Sequence, residues 1–188
     1  AENNWQVVVD KNKIFKLSYD VKADRKFVAN SLLDSAHGYI VPAGLFVYVN
    51  GHINTPVSVK IFPAKNWKDV VTGLEPIAGK QHEFTAPDFD ILYDCPILIG
   101  NLEELPSFKV NGVEHRFIGY GLSQFDKAGF MDNLKKVVEA AVNIIGDIPF
   151  RQYTFIGIGP GRGGIEHLNN TTVSFDGKGL NTKDGMNR

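Results

Sequence analysis

The sequence has very little cysteine and no excess of charge of either sign. Its 188 residues include one cysteine, Cys95, which excludes an intramolecular disulfide and a four-cysteine zinc site within it. Lys and Arg number 20 and Asp and Glu number 21, so the formal net charge is −1. Such a chain is a poor electrostatic match for nucleic acid or for an anionic membrane surface, and we expect neither as a partner.

Long hydrophobic runs are also missing from the sequence. No apolar stretch approaches the roughly 20 residues that a membrane-spanning helix needs. The first ten residues have no basic region and no apolar core, so we expect no signal peptide. With 43% hydrophobic and 22% charged residues, the composition is typical of a folded chain that forms one large domain or two small ones. The composition leaves the cellular compartment open.

The local motifs of several enzyme classes are absent. The HExxH zinc motif and its inverted form do not occur, and none of the five histidines are paired at i, i+4 spacing. We therefore assign no metal ligand, although ligands brought together by the fold remain open. The GxSxG motif of α/β hydrolases and the Gly-Lys-Ser/Thr of phosphate-binding loops are missing too. Cys95 lies in an apolar stretch without an adjacent histidine, which favours a buried structural thiol over a nucleophile.

Most of the first two thirds of the chain has the pattern of β-strands. Short runs of β-branched and aromatic residues predict strands at residues 5–9, 14–21, 45–49 and 57–62. In 14–21 apolar and polar residues alternate, which predicts one solvent-facing side. The pairs Asn50-Gly51 and Asn111-Gly112 predict hairpin turns, because Asn and Gly tolerate the left-handed backbone that such turns need.

The later part of the chain has a different pattern. Apolar residues at spacings of three and four predict one amphipathic helix over 126–145, with Asp126 as its N-cap and Gly146 as its left-handed end. Strands are predicted at 153–158 and 171–175, and Pro87 is expected to begin a short helical turn at 86–90.

These patterns predict an α+β fold that is mostly β. We expect a sandwich-like N-terminal region over 1–113, a strand–helix–strand–strand unit over 114–175, and a polar, frayed tail over 176–188. No linker-like segment separates the first two parts, so we expect them to pack together.

A glycine-rich loop at 157–167 is the most informative segment. Residues 159–164 satisfy GxGxxG after a predicted strand, but the residues that follow are poor helix formers, which disfavours a dinucleotide site. A plain turn between two strands is one alternative. Another is an edge strand whose glycines let an extended peptide approach and pair with it. Glu166 then lies at the end of that edge, where an acidic group is placed to bind the positive N-terminus of the peptide.

Several stretches follow one another in the order found in a known family. They are residues 38–49, FTAPDFD at 84–90, DCPILIG at 94–100, VEHRF at 113–117, PFRQYTFI at 149–156 and GGIEH at 163–167. Together they resemble the glycyl aminopeptidase family of zinc metallopeptidases. The resemblance covers nearly the whole chain, and the order of the segments is more specific than any one of them.

The resemblance implies roles for the GGIEH segment in a thermolysin-like domain that begins at residue 114. Gly163, Gly164 and Ile165 are expected to line the substrate strand, and Glu166 is expected to bind the α-amino group of the substrate. The role of His167 is less defined. We expect an exposed sheet edge near these residues, with exposed apolar surface beside it.

The resemblance also implies that the chain is an internal part of a longer enzyme. The zinc motif of the family lies downstream of GGIEH, and the chain ends at Arg188 before it. We therefore expect no catalytic residue, no metal ligand and no cofactor in this chain, with zinc bound by the full-length protein. The implied partners are a peptide substrate with a small N-terminal residue (Gly or Ala) and a C-terminal catalytic domain. The chain alone is predicted to be inactive, and the alternative is a non-enzymatic β-sandwich binding or structural module.

Overall fold

The computed structural model describes residues 4–10 and 13–182. Within them the chain forms thirteen strands, two α-helices and one 3-10 turn, Pro42–Gly44. The first elements are β1 (Leu32–Leu33), β2 (His37–Ile40), β3 (Val57–Lys60), β4 (Asp69–Thr72), β5 (Glu75–Pro76), β6 (Glu83–Ala86), α1 (Phe89–Tyr93) and β7 (Ile97–Gly100). The later elements are β8 (Glu103–Glu104), β9 (Phe108–Val110), β10 (Val113–Gly119), α2 (Lys127–Ile145), β11 (Gln152–Gly157), β12 (Gly164–Glu166) and β13 (Asn170–Val173).

The strands up to β7 form two antiparallel sheets, which we call the N-terminal sheets. One has the order β1-β2-β7-β4 and the other has the order β3-β6-β5. Their apolar faces share a core because β-branched and aromatic residues point inward from both. Its buried members are Val59, Leu74, Phe84, Ala86, Leu92, Cys95, Ile97 and Ile99.

The remaining strands form one six-stranded sheet, which we call the C-terminal sheet. Its order is β12-β13-β11-β10-β8, and β9 also pairs with β10. β10, β11 and β13 run parallel to one another, and the other strands are antiparallel to their neighbours. Helix α2 connects β10 to β11, as parallel strands require a crossover. Phe117, Leu122 and Met131 are buried between the helix and the sheet.

The ends of α2 agree with the sequence prediction. The Asp126 carboxylate accepts a hydrogen bond of 2.9 Å from the Gly129 amide, which is the N-cap interaction expected there. Gly146 has φ 85° and its amide donates to the Val142 carbonyl at 2.7 Å. The predicted strand–helix–strand–strand unit and the Asn111-Gly112 hairpin are thereby confirmed, with Asn111 at φ 49° and Gly112 at φ 83°.

The N-terminal and C-terminal sheets pack together, as the lack of a linker predicts. Tyr39 and Leu98 from the N-terminal sheets and Ile156 from the C-terminal sheet form one buried cluster. In β11, Ile156 faces this cluster and Phe155 packs on the side of α2, so this strand is covered on both faces.

Three strand predictions are wrong. Residues 5–9, 14–21 and 45–49 form no strand, and Asn50-Gly51 makes a turn without a paired hairpin around it. The apolar side chains of 5–9 and 14–21 are exposed, with Val8 at 92% and Phe15 at 48%, whereas in 45–49 Phe46 is half-buried against the core of the N-terminal sheets. The alternating pattern favours an extended backbone but supplies no neighbouring strand, and a ladder forms only between two segments.

Two further details differ from the prediction or extend it. Helix α1 begins at Phe89 rather than at the predicted proline, because the Asp88 carboxylate accepts from the Ile91 amide at 2.8 Å and sets the boundary there. The structure is mostly β, which confirms the predicted fold class. The domain limits at 113 and 175 stay predictions.

Part of the polar tail is described. The Gly177 amide donates to the Leu122 carbonyl at 3.1 Å, and the Ser123 hydroxyl donates to the Asp176 carboxylate at 2.8 Å. Residues 183–188, the rest of the predicted frayed tail, lie outside the described residues. In the part of the chain that the structure describes, no helix is long and apolar enough to cross a membrane.

Candidate functional site

The GGIEH segment forms an edge of the C-terminal sheet. β12 pairs antiparallel with β13 alone, with Gly164 opposite Val173 and Glu166 opposite Thr171. Its other side carries no strand among the described residues, and Gly164 and Glu166 are exposed. The exposed sheet edge expected at this segment is confirmed. Leu168, which is 53% exposed, supplies apolar surface beside it.

Two glycines allow the chain to enter this edge. Gly163 has φ 89°, a left-handed backbone that a residue with a Cβ adopts only under strain. Gly164 lies close to β13, since a Cβ built on it would be 3.2 Å from the Thr172 carbonyl oxygen. The Gly163 carbonyl accepts from the Ser174 amide at 3.0 Å, which closes the glycine loop onto the end of β13.

Glu166 presents a free carboxylate at the end of the edge. Its side chain is exposed, and no hydrogen bond or ion pair holds it among the described residues. Thr171, its cross-strand partner, hydrogen bonds through its hydroxyl to the Tyr153 hydroxyl. Burial raises the pKa of Tyr153, and the negative charges of Glu166 and Asp94 raise it further while the bond to Thr171 lowers it. The Glu166 carboxylate therefore lies near a neutral phenol and has no cation of its own.

His167 links the edge to Asp94 at the end of α1. Its Nδ1 lies 2.9 Å from Oδ1 of Asp94, and Oδ2 of Asp94 accepts from the Leu168 amide at 2.7 Å. The His167 side chain is 10% exposed, and its buried Nε2 has no hydrogen-bond partner among the described residues. His167 is thus held by a carboxylate 73 positions earlier in the chain.

The next two residues continue this contact between the sheets. Asn169 donates from Nδ2 to the Gly73 carbonyl at 2.8 Å, and its own carbonyl accepts from the Thr154 amide at 3.1 Å. Asn170 is fully buried, with Nδ2 at 4.0 Å from Sγ of Cys95. A side chain at Gly73 has no room, because its Cβ would lie 2.3 Å from Oδ1 of Asn169.

Cys95 is a buried thiol, as the sequence predicts. It is 1% exposed, and burial raises its pKa to about 12, with smaller contributions from Asp94 and Glu75. A thiol with this pKa is protonated at neutral pH and is a poor nucleophile.

The five candidate residues are contiguous, and the structure adds Asp94, Gly73 and Asn169 around them. No local pattern marks Asp94 or Gly73, because their contacts with the edge join residues more than 70 positions apart. Across the described ranges, 4–10 and 13–182, no group of three or more His, Cys, Asp or Glu side chains is placed to hold a metal ion.

Comparison with known proteins places the chain in a family. Residues 1–101 match the family model described as the Peptidase M61 N-terminal domain. That match covers more than half of the 188 residues, and the chain belongs to this family. None of the curated proteins matches the sequence.

Solved structures of aminopeptidases share the fold. The aminopeptidase N family protein from Idiomarina loihiensis is 29% identical with a TM-score of 0.75, over 81% of this chain and 27% of that one. Legionella pneumophila aminopeptidase A, solved in complex with aspartic acid, is 14% identical with a TM-score of 0.55, over 83% of this chain and 21% of that one. The second likeness shows the fold alone. The chain therefore spans about a quarter of the length of these relatives. Its residues 1–101 are a peptidase N-terminal domain, and its fold is aminopeptidase-like.

Proposed function

We propose that this chain supplies the substrate edge of a zinc-dependent aminopeptidase that removes small N-terminal residues, Gly or Ala. In this proposal the substrate pairs with β12 as an added strand, along Gly163, Gly164 and Ile165. Glu166 binds the α-amino group and so counts residues back from the cleavage point. The chain corresponds to the glycyl aminopeptidase family within a thermolysin-like clan.

The observation that carries the proposal is the exposed, unpaired carboxylate of Glu166 at the end of an open sheet edge. An open edge presents backbone N–H and C=O groups that an extended peptide can use. A peptide α-amino group has a pKa of about 8, so most of it is positively charged at neutral pH. A carboxylate without a cation of its own is suited to bind that charge, and charge-assisted bonds are stronger than neutral ones.

The preference for Gly and Ala rests on the resemblance of the GGIEH segment and its upstream stretches to that family. The assignment of zinc to the full-length protein rests on the same resemblance. The described side chains form no group suited to a metal, so chain outside them would hold the ion. When bound, zinc would activate water for hydrolysis. The contribution of the residues described here is to bind and orient the peptide.

The first test changes Glu166 to Gln in the full-length protein. Glutamine keeps the size of the side chain but removes its charge, so we expect kcat/KM for glycyl amides with a free amino group to fall about 10- to 100-fold. The control is Glu104→Gln at the opposite edge of the same sheet, where the carboxylate pairs with Arg116 instead. We expect Glu104→Gln to keep the kcat/KM of the wild type. If Glu166→Gln also keeps it, Glu166 does not bind the amine.

The second test assays the 188-residue chain alone on glycyl and alanyl amides with added zinc. We expect no turnover above background, and the full-length protein serves as the positive control. Turnover that a chelator abolishes would show that this chain contains a complete metal site. It would contradict the proposal that the zinc ion is held by residues outside those described.

A further inference from the structure

The turn between β12 and β13 does not have the backbone geometry that stabilises short hairpins by itself. His167 and Asn170 are paired through the His167 amide and the Asn170 carbonyl at 2.9 Å, so only Leu168 and Asn169 lie between them. Two-residue hairpin turns are favoured when one or both central residues have positive φ. Neither Leu168 nor Asn169 has positive φ. We infer that contacts from outside the hairpin hold this turn in place.

Most of those contacts come from the N-terminal sheets and α1. Asp94 bonds to Nδ1 of His167 at 2.9 Å and to the Leu168 amide at 2.7 Å, and the Gly73 carbonyl accepts from Asn169 at 2.8 Å. The Asp94 carboxylate therefore uses both of its oxygens on the turn. A hydrogen bond to a charged acceptor contributes more than a neutral one.

The position of Asp94 at the end of α1 does not favour a carboxylate side chain. Asp94 is the C-cap of α1, the end at which the helix carbonyls disfavour negative charge. Its backbone amide already bonds to the Asp90 carbonyl at 3.1 Å, whatever its side chain. The hydrogen bonds of its side chain go to His167 and Leu168.

We propose that Asp94 is a positioning residue for amine recognition: by holding His167 and the Leu168 amide, it fixes the end of β12 and thereby the place of the Glu166 carboxylate. This inference rests on the proposed function of Glu166. No hydrogen bond directs the Glu166 side chain among the described residues, so the backbone of β12 determines where its carboxylate lies. Residue 166 is adjacent to the anchored His167, so loosening the turn moves the carboxylate first.

The experiment compares Asp94→Ala, Asp94→Asn and the control Glu104→Gln in the full-length protein. Each is assayed on a glycyl amide and on the analogue in which hydrogen replaces the α-amino group. Asp94→Ala is expected to raise KM for the free-amine substrate about tenfold, with kcat nearly unchanged and the analogue unaffected. Asp94→Asn keeps one oxygen that can accept from Leu168, so it should recover part of the loss. Glu104→Gln should change neither substrate.

The outcomes separate this inference from the proposed function. If Glu166→Gln abolishes the preference for the free amine but both Asp94 variants retain it, Asp94 does not position Glu166 and the proposed function stands. If Glu166→Gln retains the preference, both are rejected. If the Asp94 variants slow both substrates equally, Asp94 has a merely structural role and the inference is overturned. Should Asp94→Ala fail to fold, Asp94→Asn decides the same questions, because it also loses one of the two bonds.

Discussion

The imidazole ring of His37 stacks on the phenol ring of Tyr120, with centroids 4.0 Å apart and 8° between the ring planes. His37 lies in β2 and Tyr120 directly follows β10, so the contact joins the N-terminal and C-terminal sheets. His37 is 5% exposed, and the buried side chains of Tyr39 and Ile156 belong to the same junction. The N-terminal and C-terminal sheets thus share a packed core. This packing fixes where β12 lies relative to Asp94.

A double-mutant cycle between His37→Leu and Tyr120→Leu measures this contact. Stacked aromatic pairs contribute about 0.5–1.5 kcal/mol beyond the area they bury, so we expect a coupling free energy of about 1 kcal/mol in urea unfolding. Both single variants lose the stacking, and each also loses its separate contacts, which the cycle cancels. Additive effects, with coupling below about 0.3 kcal/mol, would show that the stacking does not stabilise the junction.

A methyl group at Gly73 tests how tightly the junction holds the β12–β13 turn. The added Cβ would lie 2.3 Å from Oδ1 of Asn169 and 2.4 Å from Nδ2 of Asn170, so the turn has to shift. We expect Gly73→Ala to lower the free energy of unfolding by about 1–3 kcal/mol. Gly44→Ala is the control, because no atom lies within 4 Å of the added Cβ and φ is not positive there. Equal stability of the two variants would contradict the close approach.

The elements that the sequence predicted well are those whose determinants are local. Helix α2 has its apolar spacing, its Asp126 cap and its Gly146 end within one stretch of the chain. The β9–β10 hairpin is similarly fixed by Asn111 and Gly112. The strand predicted at 14–21 failed because alternation specifies a face, while a strand also needs a partner that no local pattern supplies.

In the candidate site, too, the residues adjacent in sequence could be predicted and the distant contacts could not. The glycines and the acidic residue of the edge strand are adjacent in sequence, so the exposed edge could be predicted from Gly163, Gly164 and Glu166. The partner of His167 could not, because Asp94 comes close to it only after two separate sheets have packed. A side chain such as Asp94, which contacts the site from a distant part of the chain, is not identified by a local motif.

Asp34 gives a pH dependence whose sign follows from its surroundings. Burial tends to raise the pKa of its carboxyl, but hydrogen bonds from the Ala36 and His37 amides and the nearby His37 ring outweigh it, and the pKa lies below its ordinary value. A lowered pKa stabilises the folded state above the unfolded value, and the stabilisation is lost as pH falls through the folded pKa. The carboxylate is 38% exposed, so solvent screening keeps the effect small. The urea midpoint of wild type should therefore fall more between pH 6 and pH 3 than that of Asp34→Asn, and equal falls would contradict the assignment.

Replacing Ile14 by Ala tests whether the first side chain of the segment at 14–21 is free of packing contacts in this chain. Ile14 is fully exposed, so removing its side chain should change the free energy of unfolding by less than about 0.5 kcal/mol. The matched control is Ile97→Ala in β7, where the side chain is fully buried and the expected loss is about 2–5 kcal/mol. Urea unfolding of the 188-residue chain measures both. A loss above about 1 kcal/mol for Ile14→Ala would mean that its side chain packs against another segment in solution, which neither the structure nor the alternation predicts, since the apolar face of the alternation is at 15, 17, 19 and 21.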